Sequence, residues 1–165
     1  MLDIREFVDL EKFQSIQDMF SDATGLAAIA VDAAGKYITE PSNFTDFCMK
    51  YTRESAEGER RCIKCDNECT GVYYCHAGLM DFSIDLKIGE EKVGAIIGGQ
   101  VLPVPPDEEK FRSIARELGI NEDLYIDALR KVPVRDEKTI RVAATMLGDI
   151  MNMLVNFQYL QTCLL

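Results

Sequence analysis

Leu10, Phe13, Ile16, Gln17 and Phe20 fall on one face at helical spacing. Asp9 stands before them as an N-cap and Gly25 after them as a stop, so the first element is a helix. The apolar run Leu26–Val31, closed by Asp32, predicts a buried strand. Asp32–Gly35 is a turn, and Lys36–Glu40 a short returning strand ended by Pro41. A second helix is expected over Asn43–Tyr51, with Phe44, Phe47, Cys48 and Tyr51 on one face, and Ser55 caps a third that carries Cys62 and Cys65. From Tyr73 the period falls to two. Leu79–Ile88 and Lys92–Leu102 flank the turn Gly89–Glu91 as a hairpin. Gly98-Gly99, inside its second strand, marks a bulge or a close approach to the backbone. Beyond Pro103, Pro105 and Pro106 the pattern is helical: Asp107–Leu118 stopped by Gly119, then Glu122–Leu129, then a long helix from Asp136 to the chain end.

This order of helix, hairpin, helices, hairpin, helices predicts an α+β fold: a PAS-like antiparallel sheet flanked by helices, with a long C-terminal signalling helix. Residues 1–135 form the body and 136–165 the exit helix, with no stop signal at its end. Along that helix Ile140, Ala143 or Ala144, Leu147, Ile150 or Met151, and Leu154 approximate a heptad seam. The seam predicts a homodimer, with packing on the parent sheet as the alternative.

Composition narrows the classes. The 165 residues are 47% apolar and 28% charged, which suffices for a folded core. Eighteen basic against 28 acidic side chains give a net charge of −10. That excludes phosphate-backbone binding by this segment and argues against anionic membrane surfaces. With no apolar run of membrane-spanning length and no secretory start, the chain reads as cytoplasmic.

In a reducing compartment six cysteines point to metal or redox chemistry rather than disulfides. Five lie between Cys48 and Cys75, and the central stretch spells C-x2-C-x3-C-x5-C-H from Cys62 to His76. Cys62 and Cys65 sit one helical turn apart. With Cys75 and Cys48 from neighbouring elements they make a candidate site for zinc or an iron–sulfur cluster, with Cys69 and His76 as alternates. Core packing is the competing account, strongest for Cys48 beside Phe47. Cys163 is distant and incidental. Tyr73, Tyr74 and His76, with Gly99 in the glycine pair, are the candidate ligand contacts. Adjacent strand residues point to opposite faces, so Cys75 and His76 do not form a catalytic dyad. No phosphate loop or paired-carboxylate centre is present, and the chain reads as a non-enzyme.

The strings Cys62-Ile63-Lys64-Cys65-Asp66 and Tyr73-Tyr74-Cys75-His76-Ala77-Gly78-Leu79-Met80-Asp81-Phe82, with the later Val93–Leu102, resemble the PocR sensory domain over roughly residues 5–160. The resemblance implies a PAS-like sensor of small hydrocarbon derivatives, such as short diols, in a prokaryotic signalling or transcription-regulatory protein. It also implies a downstream output domain, and a site at Cys48, Cys62, Cys65, Cys75 and His76. Two other classes compete with an organic ligand: a thiol or iron–sulfur redox switch, and a metal- or thiol-dependent enzyme.

Overall fold

The computed structural model describes residues 2–165. After a 3-10 turn at Ile4–Glu6, helix α1 runs over Leu10–Thr24. The Asp9 carboxylate accepts from the Lys12 N–H, and Gly25 ends the helix in the left-handed region at φ 78°. Four strands follow: β1 (Ala27–Asp32), β2 (Gly71–Tyr74), β3 (Met80–Ile88) and β4 (Glu91–Val101). They pair antiparallel in the order β1-β4-β3-β2. The expected α+β architecture is therefore present, with the β3–β4 hairpin at the centre of the sheet. Helix α2 (Ala56–Glu68) precedes β2, and α3 (Glu108–Leu118), α4 (Glu122–Leu129) and α5 (Glu137–Cys163) follow β4.

The expected strand over Lys36–Glu40 is reduced to isolated bridges, Val31 to Tyr37 and Ala28 to Ser42. A side chain takes over part of the ladder. The buried Ala30 N–H donates to the Thr39 hydroxyl at 2.9 Å, and that hydroxyl donates to Gln17 Oε1 at 2.6 Å. The Gln17 amide in turn donates to the carbonyls of Ala28 and Glu40 and to the Ser42 hydroxyl. Thus Gln17, which shares the apolar face of α1, is a fully buried polar clamp. Thr39→Val should lower stability by about 1–3 kcal/mol in urea denaturation, because a buried N–H and Gln17 Oε1 both lose their partner.

The expected helix over Asn43–Tyr51 is also altered. Asn43 has φ 54°, which is incompatible with a helix start, and its amide donates to the Ser21 carbonyl. What forms is a π-helical turn, Phe47–Thr52, closed by the Arg53 N–H on the Cys48 carbonyl. Here the ring of Phe47 stacks on Tyr125 at 4.2 Å, and the Thr52 and Tyr125 hydroxyls are hydrogen-bonded at 2.9 Å.

Alternation along the strands divides the sheet into two faces. Ala28, Ala30, Phe82, Leu86 and Ile96 join the core under α1 and α5, while Ile29, Val31 and Ala95 turn to the other face with Phe44 and Ile97. A separate core gathers α3, α4 and the π turn around Phe47, Leu79 and Leu102. The row of α5 that the spacing suggests as a dimer seam is committed to the sheet. Ile140, Ala143, Ala144, Leu147 and Met151 are buried in the first core, whereas Ile150 faces outward. Gly148 permits this approach, since a Cβ there would stand 2.6 Å from Ile84.

Candidate functional site

The sheet face opposite α1 and α5 floors a cavity of about 460 Å³. Its apolar wall comes from Ile29, Val31, Phe44 and Ile97, and helix α2 contributes Ile63, Asp66 and Asn67. The polar wall comprises Arg53, Tyr73, Asp81, Ser83 and Gln100. Register explains why these groups converge. Tyr73 pairs with Asp81 and Ser83 with Ile97, so polar side chains of β2 and β3 share a face with apolar ones of β4.

The glycine pair positions Asp81. A Cβ on Gly99, at φ 106°, would lie 2.5 Å from the Asp81 Cα, so only glycine lets β4 come this close. The register slips between Met80 and Phe82, and Gln100 follows at φ 51°. This bulge aims the Gln100 N–H at Asp81 Oδ1, at 2.8 Å. The Gln100 side-chain oxygen accepts from the N–H and hydroxyl of Thr45, tying the strand to the π turn. Across the cavity, Arg53 holds Asp66 at 2.7 Å.

Burial sets the charges here. Desolvation pushes the Asp81 carboxyl up to about 6, against the Gln100 hydrogen bond, with the Asp66 charge adding to the rise. Arg53 is partly desolvated, but its pair with Asp66 raises it overall. Burial also raises the Tyr73 phenol, with Asp81 adding to it. His76 is lowered by burial and by the nearby Arg61 and Arg53, which favours a neutral imidazole.

The cysteines sit on different elements yet within electrostatic reach of one another, Cys48 of Cys62 and Cys75, and Cys62 of Cys65. Cys62, on α2, lies 3.2 Å from His76 Nε2, and His76 Nδ1 is buried without a partner among the described residues. Cys48 and Cys75 pack against the core around Phe47, and Cys65 and Cys69 stand together at the end of α2, where Cys69 is already extended. Among the described residues, no group of three or more His, Cys, Asp or Glu side chains is placed to hold a metal ion. The expected four-ligand set of Cys48, Cys62, Cys65 and Cys75 thus finds no support in their placement. Burial pushes Cys62 up to about 11 and also raises Cys48 and Cys75, which holds these thiols protonated.

A family model described as a sensory domain found in PocR matches residues 6–159. The chain belongs to the PocR sensory domain family. Its sequence is 39% identical over 102 residues to the regulatory protein PocR of Salmonella typhimurium strain LT2, covering 55% of this chain and 33% of that protein. The chain therefore spans about a third of that relative's length. No solved structure gives a significant match. No helix among the described residues is long and apolar enough to cross a membrane.

Within this PocR domain the two tyrosines of the Tyr-Tyr-Cys-His string part company. Tyr73 lines the cavity, while Tyr74 is exposed and its hydroxyl donates to Glu137 of α5. Gly99 serves through close backbone contact, with Gly98 and Gln100 on the cavity wall beside it. Sequence reasoning passed over Arg53, Asp66, Asp81, Ser83 and Gln100. For Asp81 and Ser83 a signal existed: with Asp85 they form the polar phase of an alternating strand.

Proposed function

We propose that this domain senses a small hydrocarbon derivative, such as a short diol, held between the sheet and α2. It does so without catalysis, within a cytoplasmic regulatory protein whose output lies in a separate domain. The observation that carries this reading is the mixed lining of the cavity. Hydrocarbon side chains at Ile29, Val31 and Ile97 lie beside hydrogen-bonding groups at Asp81 and Ser83 on the same sheet face, with Arg53 and Gln100 also on the lining. Such a lining suits a ligand with an apolar body and hydroxyls, in the size class of small-molecule sites. A redox switch is less well supported, because thiols held protonated by burial are poor nucleophiles.

At about 30 Å³ per water, 460 Å³ takes roughly fifteen waters, so a short diol fills only part of it. Calorimetric titration should therefore run from ethane-, propane- and butanediols to longer polyols. At least one is expected to bind the wild-type chain and raise its Tm by several degrees at saturation. Ile97→Trp, which fills the cavity from its floor, is expected to weaken that binding at least tenfold while the chain still unfolds cooperatively. If no polyol binds, or if the tryptophan variant binds as well as wild type, the reading fails.

A further inference from the structure

Helix α5 carries a second apolar row besides the one packed on the sheet. Met146, Ile150, Met153, Phe157, Leu160 and Leu164 repeat at alternating steps of four and three, the a/d spacing of a coiled-coil seam. All six are exposed, from 40% at Ile150 to 86% at Leu164. Their centre lies about 140° around the helix from the buried row, at roughly 100° per residue, so the sheet covers one side and nothing among the described residues covers the other.

We propose that this row is the interface between two copies of the chain, packed α5 against α5. Three observations select that occupant. The six side chains together present roughly 700 Å², close to the ~800 Å² per partner of a standard stable interface. None of them is charged, and of the positions flanking the seam only Asp149 is, so two chains of net charge −10 meet there without facing acidic groups. The flanks also lack the lysines and arginines that would hold an amphipathic helix on an anionic bilayer. Because the buried and exposed rows lie on nearly opposite sides of α5, each sheet stays outside the pair and both cavities remain open. The inference is independent of what fills the cavity.

Sedimentation equilibrium of the whole chain tests it. A species of twice 18.6 kDa is expected. Phe157→Glu and Met153→Lys should each weaken association at least tenfold while the circular dichroism spectrum stays unchanged, since both side chains are largely exposed. Met19→Glu, which alters an exposed apolar side chain on α1, should leave the dimer intact. A wild-type monomer at high micromolar concentration overturns the proposal. So does a dimer that survives both seam variants, or a monomer that sediments only with phosphatidylglycerol vesicles.

Discussion

Gly98→Val is expected to lower stability by more than about 4 kcal/mol, a large share of what holds a domain of this size folded. Gly98 sits on the central strand β4, opposite Ala28 of β1 and Phe82 of β3. A Cβ there would overlap the Ala27 carbonyl oxygen and stand 2.7 Å from its carbon and 2.8 Å from the Ala28 Cα. These are backbone atoms held in a ladder from both sides, so no rotamer change relieves the clash. Gly35→Ala is the comparison. Nothing lies within 4 Å of a Cβ at that turn, and only its φ of 81° opposes the substitution, at a cost of about 1–2 kcal/mol. Urea denaturation of the two variants separates close approach from conformational strain. Similar losses for both would show that the strands can part at Gly98.

Asp81→Asn is expected to stabilise the protein at neutral pH by up to about 3 kcal/mol. The folded carboxyl titrates near 6 against an ordinary 3.8, because burial outweighs the Gln100 hydrogen bond. With the folded value the higher, the folded state binds the proton more tightly. The contribution of Asp81 is therefore fully present below about pH 4 and is lost as pH rises through 6. Asparagine keeps an oxygen for the Gln100 N–H and carries no charge. Its advantage should thus appear above pH 6 and vanish below about pH 4, which denaturant titrations across that range would read directly. A variant less stable than wild type at neutral pH would mean that Arg53 and Gln100 more than offset the burial. A buried carboxylate that costs stability on the lining of a cavity accords with the proposed binding role of that cavity.

Much of the fold was legible because local rules decide it. Asp9, Ser55, Asp107, Asn121 and Asp136 each accept an N–H at a helix start, and Gly25 and Gly119 end helices in the left-handed region. The β3–β4 hairpin and its glycine bulge follow from period and turn chemistry alone. The departures are non-local. Thr39 substitutes for a strand partner only because Gln17 reaches it from α1, and the π turn depends on Tyr125, 73 residues beyond Thr52. The cavity was hidden for the same reason: Arg53 meets Asp66 thirteen residues away, and Asp81 meets Gln100 across a hairpin. The cysteine cluster was conspicuous in sequence, and the fold brings Cys48, Cys62 and Cys75 near one another from three different elements, without arranging three ligands for a metal among the described residues.

Strand β3 forms part of the cavity floor on one side and the bed of α5 on the other. Asp81 and Ser83 line the cavity. Behind them Ile84 packs under Gly148, the Asn152 amide grips the Asp85 carbonyl and the Lys87 N–H, and Asn156 holds the Lys87 carbonyl. Further along, the Asp9 N–H donates to Gln158 Oε1 at 3.0 Å and Phe7 meets Tyr159 edge-on at 5.3 Å, so α5 is held from Gly148 to Tyr159. Strand β3 thus joins cavity and helix as one layer, and a shift of the cavity floor would reach α5 directly through the backbone groups of Asp85 and Lys87.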